Sequence, residues 1–187
     1  MRDKTRRERY EEKKQNAKTY PISIAAVNFI HDGNLGYLIR SAACFGAECV
    51  HVIGSVPPPR TLKALSGTLL DYVQIKQHSN PTQFLEHIRE NDIKLISAEI
   101  NDEATPLNQY SFNFREPICI VVGHEQTGIP VELIQNSDSV FISMPGVGYC
   151  LNTAQAGNIM LYEATKQYEA QARFLEEWTE ECYIHHP

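Results

Sequence analysis

The stretch PICIVVGHEQTG, residues 117–128, joins an apolar run to a polar loop that begins and ends in glycine. The run 117–122 contains only apolar residues, which is typical of a strand covered on both faces. Sheets covered on both faces are built mainly from parallel strands joined by helices. The stretch therefore predicts an α/β protein in which a glycine loop follows a central strand at Gly123.

The rest of the chain alternates between strand-like and helix-like segments. Asn34 is a candidate cap for one helix, and Gly46 stands where a glycine would end it. Asn80 precedes a proline at the first position of another predicted helix. We predict one α/β domain with a mostly parallel sheet flanked by helices. The predicted strands are 20–30, 48–55, 71–77, 93–100, 117–123 and 139–145, and the predicted last helix runs from 151 to 178.

The composition is that of an ordinary globular protein, with 42% hydrophobic and 21% charged residues in a chain of 187. No apolar run is long enough to cross a bilayer, and the charged N-terminus lacks the apolar segment of a secretory signal. The five cysteines form no CxxC pair and no zinc-binding spacing. We therefore expect a cytoplasmic protein with reduced thiols, no metal site and no membrane partner.

The net charge of −6 is unevenly distributed. Residues 1–18 contain eight Lys or Arg and four Asp or Glu, which gives this segment +4 and leaves −10 for the remainder. A basic arm of this kind can contact phosphate backbones, and a solvated helix of mixed charge or a frayed tail is the alternative. The basic residues of the arm that we consider for this contact are Arg2, Lys4, Arg6, Arg7, Arg9, Lys13 and Lys14.

These features divide the chain into a basic arm (1–19), the α/β domain (20–170) and an acidic C-terminal tail (171–187). The tail and the helix before it carry several large apolar side chains, including the single tryptophan. We expect these side chains to pack on the domain or on a dimer partner rather than on RNA. They are Tyr168, Phe174, Leu175 and Trp178.

Three predicted strand ends share glycines with uncharged or singly charged polar residues. Ligands of α/β sheets bind beyond the carboxyl ends of the strands. None of these segments matches a P-loop, an HExxH zinc site, a complete GxGxxG fingerprint or a GxSxG elbow. They favour a flat polar ligand such as a nucleoside, whereas helix caps, turns and a solvated acid are the alternative. The segments are HDGNLGYLIR (31–40), GHEQTG (123–128) and MPGVGYCLN (144–152).

In these segments the sequence resembles the SpoU type of the SPOUT superfamily of RNA methyltransferases, over about residues 22–168. NLGYLIRSAACFG resembles the family pattern N-x-G-x-x-x-R…FG, and ICIVVGHEQTGIP resembles an apolar strand followed by G-x-E-x-x-G. ISMPGVGYCLN is similar to I-P-M…S-L-N, which precedes a helix in the family. The matching positions are Asn34, Gly36, Arg40, Gly123, Glu125, Gly128, Ile142, Met144, Leu151 and Asn152.

The resemblance implies methylation of a ribose 2′-hydroxyl in RNA, with tRNA favoured over rRNA as the substrate and DNA excluded. It implies S-adenosylmethionine as the methyl donor and a homodimer as the assembly. It also implies a deep trefoil knot at the C-terminal end of the domain, which is a rare exception to unthreaded chain topology.

The same resemblance implies roles for individual residues. Arg40 is expected to position ribose or phosphate and to stabilise developing negative charge, because arginine stays protonated and is a poor proton acceptor. Asn34 and Asn152 are expected to fix Arg40 and the loops by hydrogen bonds, and Glu125 to orient Arg40 or the third loop. The residues implied to hold the cofactor are Ala98, Gly123, Ile142, Met144, Cys150 and Leu151.

The chain departs from the family pattern at three of these loop positions. Ser143 replaces a proline, His124 replaces a small or amide residue, and Cys150 replaces the serine of S-L-N. Cysteine is a weaker hydrogen-bonding residue than serine, which weakens any bond that fixes the backbone there. The alternative function is therefore a catalytically weak or inactive RNA-binding or assembly factor with the same fold. A third possibility is an unrelated α/β protein that binds another nucleotide.

Overall fold

The computed structural model describes residues 4–184, apart from the side chains of Arg6, Thr68 and residues 175–184. Among the sequence predictions, those for Arg2 and for the side chains of Arg6, Leu175 and Trp178 lie outside the described residues. None of the helices within this part is both long and apolar enough to cross a membrane.

The sheet contains seven strands in the described part of the chain, and every neighbouring pair is parallel. The predicted mostly parallel α/β fold is confirmed. The strands are β1 (Tyr20–Val27), β2 (Ala47–Ile53), β3 (Gln74–His78), β4 (Lys94–Ala98), β5 (Thr105–Pro106), β6 (Ile118–Val122) and β7 (Asp138–Phe141). Their order across the sheet is β3-β2-β1-β6-β4-β7-β5.

The chain leaves β1 toward β2 on one side and later returns to place β6 on the other side of β1. This makes the boundary between β1 and β6 the topological switch point, where ligands of such sheets bind. The connecting helices are α1 (Arg6–Gln15), α2 (Asp32–Cys44), α3 (Pro59–Ser66), a 3-10 helix (Gly67–Tyr72), α4 (Pro81–Glu90), α5 (Val131–Ile134) and α6 (Thr153–Ile184).

Alternate residues of the central strands enter two separate apolar layers. Ile24 and Ile120 face the layer formed by α2 and α6, whereas Ala25 and Val121 face the layer formed by α4 and α5. All five residues of β6 are buried. The prediction that 117–123 is a strand covered on both faces is therefore confirmed.

Two glycines let α2 lie close to its neighbours. A Cβ at Gly36 would collide with Leu65 of α3, and a Cβ at Gly157 would contact Leu38 of α2 at 2.6 Å. Gly36 is thus a packing residue inside α2, although the sequence predicted it as part of a ligand-binding loop. The close approach of α6 to α2 brings the N-terminal turns of both helices to one edge of the sheet.

The helix ends differ in detail from the sequence prediction. Asn34 is not a cap, because α2 begins at Asp32 with His31 before it and Asn34 lies in the first turn. α6 begins at Thr153, where the Asn152 side chain accepts hydrogen bonds from the backbone N–H groups of Ala154 and Gln155. The glycine at the end of α2 is confirmed, since Gly46 has a φ of 70°.

The C-terminal part of α6 packs partly on the domain. Tyr168 contacts the rings of Tyr20 and Phe114, with centroid distances of 4.9 and 5.1 Å. Phe174 is 66% exposed. α6 also continues without interruption across residue 171, where the sequence analysis places the start of an acidic tail.

Three imidazoles cluster between β2, β3 and α4. His51 and His78 are buried, and Nδ1 of His51 lies 2.9 Å from Nε2 of His78. The His87 ring lies 5.3 Å from the His51 ring and 5.2 Å from the His78 ring. Burial, together with the positive charges of the neighbouring imidazoles and of Lys76, lowers the pKa of His51 to about 3 and that of His78 to about 4. Burial also lowers the pKa of His87.

This cluster predicts acid-sensitive stability. In the unfolded chain His51 and His78 bind protons below a pH of about 6.5, whereas the folded protein keeps these two histidines neutral down to about pH 3 and about pH 4. Stability is therefore full above pH 6.5 and falls below it, by about 2 kcal/mol per histidine at pH 5. Urea unfolding at pH 7.5 and pH 5.0 measures this loss. The double variant His51→Leu/His78→Leu should lose much less stability between the two pH values, and an equal loss would contradict the assignment.

Candidate functional site

A cavity of about 580 Å³ opens at the carboxyl ends of β4, β6 and β7. Its position beside the switch point agrees with the general rule for ligand sites in parallel sheets. Apolar groups from Val140, Ile142 and Leu151 line it together with polar groups from the surrounding loops. The structure brings all six residues of the implied cofactor set to this cavity: Ala98, Gly123, Ile142, Met144, Cys150 and Leu151.

A chain of side-chain hydrogen bonds joins three loops at the edge of the cavity. The amide of Asn34 donates to the carboxylate of Glu125 over 2.7 Å. The amide of Asn152 donates to the side-chain oxygen of Asn34 over 3.0 Å. The side-chain oxygen of Asn152 accepts hydrogen bonds from backbone N–H groups in the first turn of α6 and so caps this helix, as described above. One buried residue, Asn34, thus links the loop after β6 to the start of α6.

The Glu125 carboxylate also fixes the loop that follows β1. It accepts hydrogen bonds from the backbone N–H groups of Ile30 at 2.9 Å and His31 at 3.2 Å. Burial acts to raise the pKa of Glu125, but these hydrogen bonds and that from Asn34 favour the charged form and lower the pKa overall. Glu125 is therefore an ionised structural acceptor in the folded protein.

The loop GHEQTG is a closed turn. His124 and Gly128 exchange backbone hydrogen bonds of 3.0 Å, and Nδ1 of His124 accepts from the backbone N–H groups of Gln126 and Thr127. Two N–H groups directed at Nδ1 require the neutral ring to carry its proton on Nε2. Gly128 adopts a φ of 69°, which favours glycine. His124 thus stabilises the turn that carries Glu125.

Gly123 is where the loops after β6 and β7 meet. A Cβ at this position would lie 2.5 Å from the backbone of Gly128, so only glycine allows the turn to close. The hydroxyl of Thr153 donates to the carbonyl oxygen of Gly123 over 2.7 Å. The first turn of α6 is therefore fixed both to Gly123 and, through Asn152, to Asn34.

Arg40 lies apart from this network. It is exposed on α2 and does not line the cavity, being about 9 Å further along the helix axis than Asn34 at 1.5 Å per residue. The sequence analysis expected Asn34 and Asn152 to fix Arg40 and the loops, and Glu125 to orient Arg40 or the third loop. The hydrogen bonds join the loops, but none of the three side chains bonds to Arg40 in the described part of the chain. The three side chains bond to one another, and Arg40 makes no side-chain hydrogen bond or ion pair among the described residues.

The cavity includes residues that the sequence analysis did not assign to a site. Thr153 was given no role by the sequence analysis, and His124 was noted only as a departure from the family pattern. Glu99 accepts a backbone hydrogen bond from Ile129 at 3.3 Å, and its position directly after β4 was a signal that could have identified it. Tyr149 and Ile100 lie at the mouth, with exposures of 87% and 52%.

Comparison with known proteins identifies a family. The SpoU rRNA Methylase family matches residues 21–162. The chain is 27% identical over 145 residues to a tRNA (guanosine(18)-2′-O)-methyltransferase of Escherichia coli, and 30% identical over 141 residues to a 23S rRNA (guanosine-2′-O-)-methyltransferase of Acinetobacter baylyi. These matches include 77% and 72% of this chain, but only 62% and 55% of the two relatives. This chain therefore spans a little over half of each relative's length.

Solved structures share the fold. A crystal structure of an AdoMet-bound rRNA methyltransferase from Sinorhizobium meliloti matches 80% of this chain and 57% of its own, with a TM-score of 0.70 and 25% identity. A TrmH/SpoU tRNA modifying enzyme of A. aeolicus matches 94% of this chain and 96% of its own, with a TM-score of 0.73 and 18% identity. The second likeness supports the fold alone.

The substitution Glu125→Gln tests the hydrogen-bond chain. A glutamine amide would turn its NH₂ group toward at least one of the three N–H donors and would replace charge-assisted hydrogen bonds by neutral ones. We expect a loss of about 1–3 kcal/mol in the free energy of unfolding at pH 7, measured by urea denaturation. The loss should shrink as the pH falls below about 4.5, the ordinary pKa of glutamate in the unfolded chain, toward the lower pKa of Glu125 in the folded protein.

The matched control for this substitution is Glu103→Gln. Glu103 is an exposed glutamate, and none of the hydrogen bonds among the described residues uses its carboxylate. Its substitution should leave stability unchanged within about 0.5 kcal/mol. Equal effects of the two substitutions would show that the Glu125 network does not hold the loops together.

Proposed function

This chain belongs to the SpoU rRNA Methylase family, and we propose that it transfers a methyl group from S-adenosylmethionine to a ribose 2′-hydroxyl of RNA. The observation that carries the proposal is the cavity after β4, β6 and β7, whose walls are fixed by Asn34, Glu125 and Asn152. These three residues stand at the family's motif positions. We favour tRNA as the substrate and the cytoplasm as the compartment, and relatives that act on tRNA and on rRNA support RNA as the substrate class.

The cavity is suited to S-adenosylmethionine. Its volume of about 580 Å³ lies in the range of small-molecule sites, and it combines apolar walls with loop backbone groups. Ile142, Met144 and Leu151 supply apolar surface for a flat adenine ring. Gly123 and Ala98 bring the main chain close to the ligand. When bound, S-adenosylmethionine supplies an activated methyl group on a sulfonium.

The protein's own contribution is alignment and charge. Arg40 forms no ion pair with any side chain that the structure describes, so its guanidinium is available for a ribose oxygen or a phosphate of the substrate. An oxyanion that develops on the ribose is stabilised by such a fixed positive charge. Asn34, Glu125 and Asn152 act through the loop positions and do not contact Arg40. They are therefore positioning residues in this proposal.

A homodimer and a trefoil knot complete the proposal. Exposed side chains lie on the adjacent faces of α2 and α6, namely Tyr37 at 62%, Ile159 at 37% and Tyr162 at 55%. Packing this face against a second copy would remove its apolar surface from water and place the two Arg40 side chains near the interface. We place the knot at the passage from β7 to α6, where Thr153 bonds to Gly123 after β6 and Asn152 bonds to Asn34 in the first turn of α2.

We further assign RNA phosphates to the basic arm. A cleft of about 710 Å³ separates α1 from the end of α2 and from α6, and five cationic residues line it. Its two carboxylates already have partners, since Glu12 lies 2.7 Å from Lys4 and Glu169 accepts from the Tyr20 hydroxyl at 2.6 Å. Lys166 is itself paired with Glu163 at 2.8 Å. The positive charges available to an anionic ligand are therefore those of Arg9, Lys13, Lys18 and Arg173.

The substitution Arg40→Ala tests the catalytic assignment. We expect methyl transfer from labelled S-adenosylmethionine to RNA to fall at least about a hundredfold, because a charge that stabilises the transition state is lost. Binding of S-adenosylmethionine, measured by calorimetry, should change less than twofold because Arg40 does not line the cavity. Near-normal turnover would refute the role of Arg40, and no measurable cofactor binding by the wild type would favour the inactive RNA-binding alternative. Arg115→Ala, an exposed arginine before the amino end of β6, is the matched control.

The double variant Arg9→Gln/Lys13→Gln tests the cleft. Each lost phosphate contact should reduce the slope of log affinity against log salt by about 0.7–0.9, so RNA binding should weaken and its salt slope should fall by roughly 1.4–1.8. Filter binding at 50–200 mM salt measures both quantities. Lys63→Gln is the control, because its ammonium is already 2.9 Å from Asp71. An unchanged salt slope would show that α1 is a solvated helix that does not contact RNA.

A further inference from the structure

Loop 145–150 presents an aromatic ring at the mouth of the cavity. Tyr149 lines the cavity and is 87% exposed, and the residues after it, Cys150 to Thr153, line the same cavity. None of the aromatic contacts in the described part of the chain involves this ring. Ile100, another lining residue of the same cavity, is 52% exposed. The cavity mouth is therefore bordered by accessible apolar surface.

The glycines of this loop have no steric reason in the described conformation. A Cβ at Gly146 or Gly148 would meet nothing within 4 Å, and neither residue has a positive φ. Gly123 differs, because a side chain there would collide with backbone. Glycine at open positions chiefly increases conformational freedom. The two glycines therefore give the backbone of this loop more conformational freedom than residues with side chains would.

The proposed reaction needs one element that the residues described so far do not supply. Arg40 can hold a ribose oxygen or a phosphate, and the cavity can hold the methyl donor, but neither fixes the base of the acceptor nucleotide. In-line transfer depends on that nucleotide being held in one orientation. An aromatic side chain can hold any base by stacking on its face.

We propose that Tyr149 stacks on the nucleobase of the nucleotide whose ribose is methylated, and that the Gly146–Gly148 loop moves to bring the ring there. This inference rests on the proposed function and assigns its substrate-positioning residue. A stacking ring recognises no particular base, so it fixes orientation while base identity is selected elsewhere on the RNA. Tyr149 thus acts on RNA rather than on the cofactor.

Kinetics of position 149 variants test the stacking. In Tyr149→Ala, kcat/KM for RNA should fall by about 5- to 150-fold, which corresponds to the loss of one stacked base. The Kd for S-adenosylmethionine should stay within twofold, and Tyr149→Phe should keep wild-type kinetics because the ring is retained. Val147→Ala is the control, because Val147 is fully exposed in the same loop and does not line the cavity. Cofactor affinity that falls as much as kcat/KM would instead place the ring on the adenosine.

Fluorescence supplies a test that does not require methyl transfer. In Trp178→Phe/Tyr149→Trp the only tryptophan is at position 149. Addition of tRNA should quench its emission, because a stacked base quenches indole, whereas unchanged emission at saturating RNA would overturn the proposal. Quenching without methyl transfer would leave the stacking intact and refute the proposed activity, so the two failures are distinguishable.

The loop motion is tested by Gly146→Ala/Gly148→Ala. Because both positions tolerate a Cβ in the described conformation, the melting temperature should be unchanged or higher. Methyl transfer should slow several-fold, with unchanged affinity for S-adenosylmethionine, since the second conformation becomes less accessible. Unaltered kcat and KM in this variant would refute the motion.

Discussion

The site depends on one buried amide. The Asn34 side chain donates to Glu125 and accepts from Asn152, so a single residue in the first turn of α2 joins the loop after β6 to the start of α6. The residues at both ends of this series of hydrogen bonds, Glu125 and Asn152, form further hydrogen bonds. Glu125 also accepts from the backbone after β1, and Asn152 caps α6. Because the partners lie 91 and 118 residues from Asn34 in sequence, the contacts exist only when the sheet has placed all three loops at one edge.

This dependence explains why small residues recur around the site. The loops can approach closely enough to bond only because Gly123 has no side chain facing the Gly128 backbone. Likewise, α6 reaches its position beside α2 because Gly157 leaves room for Leu38. Glycine at each of these positions costs conformational entropy, which the parallel sheet and its two apolar layers offset. The cavity wall is therefore closely packed at Gly123 and Gly157, where only glycine permits the contacts. In loop 145–150, by contrast, there is open space beside both glycines.

The fold followed from sequence in its main features, and the site only in part. The spacing of apolar residues and the turn residues in the sequence were sufficient to predict the parallel sheet, because strands covered on both faces are almost wholly apolar, as in 118–122. These signals did not identify β5, because two residues are too few to show a periodic pattern. They also placed the start of the last helix at Leu151, whereas α6 begins at Thr153. The family resemblance identified the residues at the motif positions, but it did not identify the residues to which they form hydrogen bonds. Whether Asn34 bonds to Arg40 or to Glu125 is decided by side-chain directions that local sequence does not encode.

The same contacts limit where the proton of a ribose hydroxyl can go. Glu125 is a poor base, because three donated hydrogen bonds stabilise its charged form and the resulting lower pKa weakens its hold on a proton. His124 could accept a proton at Nε2 only in the other tautomer, which would direct an N–H at the Gln126 and Thr127 amides. Arg40 stays protonated. Each of these three groups is thus unsuited to general-base catalysis for a separate physical reason. In the proposed reaction S-adenosylmethionine would supply the activated methyl group, Arg40 would stabilise the developing oxyanion, and the proton of the ribose hydroxyl would leave to solvent.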